Sequence, residues 1–106
     1  MFYILDDQGN PIPEICHKRW LKWMTAHDWR VAYDIAGDLQ VSTVFLGIHH
    51  GLGHIFDTVC GPPIVFETMI FQEDNMDELY MKRYSTLNEA VEGHKTALAI
   101  AEELRI

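Results

Sequence analysis

Two apolar, β-branched runs flank a stretch rich in histidine and glycine, and this arrangement narrows the folds open to the chain more than any other feature. The first run is Val41-Ser-Thr-Val-Phe-Leu-Gly-Ile48, the second Pro62-Pro-Ile-Val-Phe-Glu-Thr-Met-Ile-Phe71, and residues 49–61 between them hold His49, His50 and His54, half of the histidines. Short β-branched runs of this kind are strands. Being apolar at nearly every position, they read as central strands with cover on both sides. The connection between them is long, and long connections inside small domains are commonly functional, so function is expected near loop 49–61.

The flanking segments complete an α+β pattern. Phe2–Leu5 is a short strand ended by the turn cluster Asp6-Asp-Gln-Gly-Asn10. Pro13 is placed to open a helix through about Ala26. Cys16, Trp20, Trp23, Met24 and His27 form one stripe of that helix, while Glu14, Lys18 and Lys22 form a solvated one. Trp29, Val31, Tyr33 and Ile35 alternate with polar or small residues, which predicts a strand buried on that side, and Gly37-Asp38 suits a hairpin turn. Leu79–Tyr84 is a further strand. Thr86-Leu-Asn-Glu89 matches a capping box for a final helix to about Leu104, with Leu87, Val91, His94, Leu98 and Ala101 as its apolar stripe. Residues 1–106 are therefore expected to form a single domain: an antiparallel sheet of four to five strands packed against two helices.

Composition excludes several function classes. The chain has 106 residues and is 48% hydrophobic, which is enough for a core. No run of eighteen apolar residues suggests a membrane span, and Met1–Leu5 lacks the basic segment of a signal peptide, so a cytoplasmic location is expected. Cys16 and Cys60 are then small hydrophobes rather than a disulfide. A net charge of −8 argues against direct nucleic-acid binding. The acidity serves solubility, or it serves docking on a basic partner, such as a protein that itself handles nucleic acid.

The residues that could carry chemistry are few. His49, His50, His54 and Cys60 are zinc-ligand types, but their spacing matches no standard metal knuckle. They serve as ordinary hydrogen-bonding groups, as a zinc site, or as part of a metal-free site. Glu67 stands in an otherwise apolar strand and needs a partner. Arg83 is the natural one, because a guanidinium matches a carboxylate bidentately. Glu67 then faces solvent on a one-sided sheet, or is a structural ion-pair member, or is an acid working with His50 in a pocket beside the loop. His94 lies on the stripe of the last helix, where a histidine satisfied within the core is the simpler reading.

The segments Val41-Ser-Thr-Val-Phe-Leu-Gly-Ile-x-His50, Gly61-Pro-Pro-x-x-Phe-Glu-Thr-Met-x-Phe71 and Arg83-Tyr-Ser-Thr86…Glu89-Ala90…Gly93-His94 resemble a group of small phage, prophage and bacterial proteins without an established activity. The resemblance spans most of residues 38–98. The group has Asp or Asn where this chain has His49, and a shorter loop with no counterpart of residues 54–60. It implies a phage-like setting, hence a host-cell cytoplasm, and shared polar positions at His50, Glu67, Arg83, Tyr84 and His94. The leading expectation is a non-enzymatic interaction or inhibitor protein, without cofactor, that binds a host or phage macromolecule through an acidic surface near loop 49–61; a homodimer is compatible with it. The alternative is a small enzyme or ligand-binding protein, metal-dependent if zinc is held, with its pocket at loop 49–61 and Glu67.

Overall fold

The two apolar runs pair with each other. In a computed structural model, which describes residues 1–49, 62–74 and 77–105, β4 (Leu39–Phe45) lies antiparallel to β5 (Phe66–Gln72), with Thr43 opposite Thr68 and Val44 opposite Glu67. β3 (Arg30–Ala36) and β6 (Glu78–Tyr84) extend the sheet on either side, in the order β3-β4-β5-β6. The final helix α2 (Leu87–Leu104) crosses all four strands on one face. Near the chain start, β1 (Tyr3–Leu5) and β2 (Pro11–Pro13) form a separate two-stranded ladder beside helix α1 (His17–Ala26). The fold is α+β, as the sequence predicts.

Burial follows a strict alternation on β4. Leu39, Val41, Thr43 and Phe45 are buried under α2, while Gln40, Ser42 and Val44 are half-buried on the other face. The expectation of cover on both sides is therefore corrected: no described element packs on that second face. The core has two apolar clusters. Ala36, Leu39, Val41, Ile70, Ala97 and Ala101 form one. Phe45, Val65, Phe66, Tyr84 and Ala90 form the other, joined by Trp23 and Met24 of α1.

Three local expectations are revised. The first helix begins at His17 rather than Pro13, because residues 11–13 pair with β1 and the Glu14 amide donates to the Phe2 carbonyl. An edge ladder tolerates two prolines, which have no N–H to lose. In β3, an irregularity between Arg30 and Ala32 shifts the pairing, so Ala32, Asp34 and Ala36 face the helix and Tyr33 and Ile35 face out. A bulge changes which face the following residues occupy. The buried line of α2 is Ala90, His94, Ala97 and Ala101, while Val91 is exposed.

Small residues on this line bring the helix close to the sheet. The Tyr84 ring reaches so near Gly93 that an added Cβ would collide with the phenol oxygen and ring. The N-terminal cap is as predicted: Thr86 accepts from the Glu89 amide at 3.1 Å, and the Glu89 carboxylate accepts from the Thr86 amide at 3.1 Å. Gly93→Ala should therefore lower stability by about 1–2 kcal/mol, overpacking outweighing the gain in helix propensity. Thermal denaturation should show that adding Tyr84→Phe recovers only a small part of that loss, whereas Tyr84→Leu recovers more, because the ring carbons collide with the new Cβ as well as the oxygen does.

Candidate functional site

The polar groups inside the fold form one continuous seam between the two apolar clusters. Thr43 and Thr68 face each other across β4 and β5 with Oγ1 atoms 2.6 Å apart. His94 reaches down from α2 and places Nδ1 2.7 Å from Thr43 Oγ1. Its Nε2 lies 2.7 Å from Asp34 Oδ2 at the edge of β3. An ionised carboxylate only accepts, so Nε2–H donates to Asp34, and in the neutral ring Nδ1 accepts from the Thr43 hydroxyl. Thr43 Oγ1 then accepts from Thr68. His94 is thus a satisfied core histidine, as its helical position predicts.

The order carboxylate–imidazole–hydroxyl is that of an activated nucleophile. Thr43 and Thr68 are fully buried, however, and His94 is 4% exposed, so only Asp34 meets solvent. No substrate reaches the hydroxyl. What the arrangement does is orient α2 on the sheet, since every polar atom in it demands its partner in the dry seam. Tyr84 lies on the same helix-covered face, with its hydroxyl buried and without a well-formed hydrogen bond among the described residues. Burial pushes its pKa above the ordinary phenol value, a shift only partly opposed by nearby Thr68.

Glu67 and Arg83 lie on the opposite face. They are cross-strand neighbours, Arg83 Nε donating to Glu67 Oε2 at 2.9 Å. The glutamate side chain is 14% exposed and the arginine 38%, so the pair sits at a surface. The sheet therefore separates the shared polar positions: Glu67 and Arg83 on one side, Tyr84 and His94 on the other.

His49 has a structural task. Its Nδ1 accepts from the Ile64 amide at 2.8 Å, tying together the two chain ends that flank residues 50–61. That bond leaves only Nε2 for any metal. His50, His54 and Cys60 lie outside the described residues, as does most of loop 49–61. Among the described residues no group of three or more His, Cys, Asp or Glu side chains could hold a metal ion. Elsewhere, a cleft of about 340 Å³ between β1 and α1 is lined by Ile4, Trp23, His27 and the Glu14–Arg19 pair. The Glu14 carboxyl is held below its ordinary pKa, first by the Cys16 amide and then by Arg19.

Sequence reasoning missed Asp34, Thr43 and Thr68. The available signal was the pair of threonines at matching positions in two apolar strands. The sequence leads one to expect Asp34, Asp38, Glu73, Asp74, Asp77 and Glu78 to share one surface in an interaction protein; all but Asp34, which bonds His94, gather at one end of the sheet. The turns after β3 and β5 lie at the same end of the sheet, the Glu73 amide donating to the Asp38 carbonyl at 3.0 Å. The C-terminus of α2 ends there too, Leu104 beside Asp38 and Leu79, and Arg105 against Gly37. This end carries Asp38, Glu73, Asp74, Asp77, Glu78, Glu102 and Glu103, with Arg105 as its single cation, so six of the eight net negative charges of the chain reside here. It is the end remote from His49 and Pro62, about 20 Å away along seven-residue strands. The expected acidic surface beside loop 49–61 is therefore relocated to the far end of the sheet.

No family model, no curated protein and no solved structure matches the chain. No helix among the described residues is long and apolar enough to cross a membrane.

Two predictions follow from the seam and the pair. Thr43→Val leaves His94 Nδ1 buried without a partner and should cost about 2 kcal/mol. Glu67→Gln, at a screened surface pair, should cost under about 1 kcal/mol. Urea denaturation measures both, and a larger loss for Glu67→Gln would contradict the assignment. With Tyr84, the phenol ionises in the unfolded chain before it does so in the folded one. Its contribution to stability is complete below the ordinary phenol pKa and is lost as pH rises through the higher folded value. Melting temperatures measured upward from about pH 9 should fall less steeply in Tyr84→Phe than in wild type.

Proposed function

We propose that the protein is a non-enzymatic interaction or inhibitor protein of phage type that works in the host-cell cytoplasm and binds a basic, nucleic-acid-handling protein. The observation that carries this reading is the concentration of six net negative charges at the turn end of the sheet. The α2 dipole reinforces it, because the helix points its negative end there with no basic residue in its last turn. Carboxylates spread over two turns and a helix end present anionic charge to a surface evolved to hold phosphates. Such a field accelerates encounter with a cationic partner and weakens with salt.

The experiment is a capture from host lysate at low salt with identification of the bound proteins. They should be basic nucleic-acid binders that added duplex DNA displaces. Replacing Glu73 and Glu102 by Gln, Asp74 by Asn and Glu103 by Gln together should reduce capture by about tenfold or more while leaving the thermal melt in place. Capture that is indifferent to both DNA and these substitutions overturns the reading.

A further inference from the structure

No described element covers the face of the sheet turned away from α2. Its side chains form three rows across the strands. Arg30, Val44, Glu67 and Arg83 lie at the end nearest His49 and Pro62; Tyr33, Ser42, Met69 and Met81 cross the middle; Ile35, Gln40, Phe71 and Glu78 lie at the turn end. Ile35 is 60% exposed and Met81 40%. Arg30 lies over the Tyr33 ring, 4.7 Å from its centroid. The face is thus apolar in its middle and polarised along the strands. Arg30 stands at one end, beside the mutually neutralised Arg83–Glu67 pair. Its uncompensated anions, Glu78 and the adjoining Asp38 and Glu73, stand at the other.

We infer that this face pairs with the same face of a second copy, the two sheets stacking about a two-fold axis that runs across the strands through the Tyr33–Met81 row. Charge complementarity selects both the occupant and the axis. A two-fold across the strands reverses strand direction between the layers, so Arg83 of each copy meets Glu78 of the other and Arg30 meets the Asp38 end. A two-fold parallel to the strands sets β3 over β6 and brings the Glu78 end of each copy against the Asp38 end of the other, anion against anion. The surface is self-complementary in the first arrangement only, which is what an isologous dimer requires. Aligned sheets pack face to face in the same way inside β-sandwiches.

The size of the face sets the strength. Four strands about 4.8 Å apart and seven residues of about 3.3 Å rise give a footprint of roughly 400 Å² per copy. That is about half of a standard interface of ~800 Å² per partner. The dimer is therefore weak and concentration-dependent. It goes beyond the acidic-end reading and does not rest on it: Asp74, Glu102 and Glu103 lie outside the pairing, and the variants that test each reading are different.

Sedimentation equilibrium on the intact chain from about 10 to about 500 µM tests it. Wild type should pass from monomer to dimer, with the dimer weakened by salt. Ile35→Lys combined with Met81→Lys should stay monomeric with an unchanged melting temperature, since both side chains already stand largely in water. The axis has its own readout. The Tyr33–Met81 row lies over itself, so Ser42→Cys, in a chain with Cys16 and Cys60 replaced by Ser, should form a covalent dimer with a bismaleimide spanning about 10 Å, the distance between stacked sheets. With the axis parallel to the strands, Ser42 would instead lie over Met69, and only a mixture of Ser42→Cys and Met69→Cys chains would link. A wild type that remains monomeric throughout, or a dimer that survives the lysine variants, overturns the inference and assigns the face to a partner of another kind; linkage only in the mixture overturns the axis.

Discussion

The close seating of α2 on the sheet is the constraint from which the rest of the structure follows. Ala90, Gly93, Ala97 and Ala101 present little bulk to the strands, so the helix axis comes near enough for His94 to reach Thr43. Once there, the imidazole sits in a dry seam and both ring nitrogens must be answered. Asp34 and Thr43 answer them, and Thr68 completes the chain. A helix of small residues could slide or rotate on an apolar sheet at little cost. One buried ring with two obligatory partners on two different strands removes that freedom, because any slip leaves a polar atom unpaired.

That seating divides the molecule by chemistry. The face under α2 holds the apolar core and the polar seam. The other face holds the Glu67–Arg83 pair and a broad apolar middle in contact with solvent. The topology divides it a second time, along the strands. A meander puts alternate connections at opposite ends, so the connections after β3 and β5 and the end of α2 share one pole while residues 49 and 62 share the other. Acidic residues that look scattered along the chain thereby become one charged pole. A modest net charge becomes a directional field.

Much of the architecture could be read from residue pattern alone. The paired apolar runs, the hairpin at Gly37-Asp38 and the Thr86–Glu89 capping box reflect local chemistry that sequence states directly. The departures have specific physical causes. Pro13 suits a helix start, but the ladder between β1 and β2 claimed it. The alternation in β3 was visible, but a pairing irregularity reversed which half of it is buried. Of the expected α2 stripe, His94 and Ala101 are buried and Leu87 and Leu98 pack half-buried against the core; Val91 is exposed, and the small residues Ala90 and Ala97 complete the buried line instead.

Glu67 shows the same boundary at the candidate site. A lone carboxylate in an apolar strand required a partner, and the charge and geometry of Arg83 made it the natural one. Which face the pair occupies depends on the pleat, and so does its separation from His94 and Tyr84. The fold class, the cap and the need to neutralise Glu67 are consequences of neighbours in the chain, and those are written in the order of residues. The hydroxyl seam, the uncovered sheet face and the acidic pole join positions that lie up to 65 residues apart, from Asp38 to Glu103. They arise only when strand pairing and helix packing bring those positions together, because burial and charge density are properties of position in space.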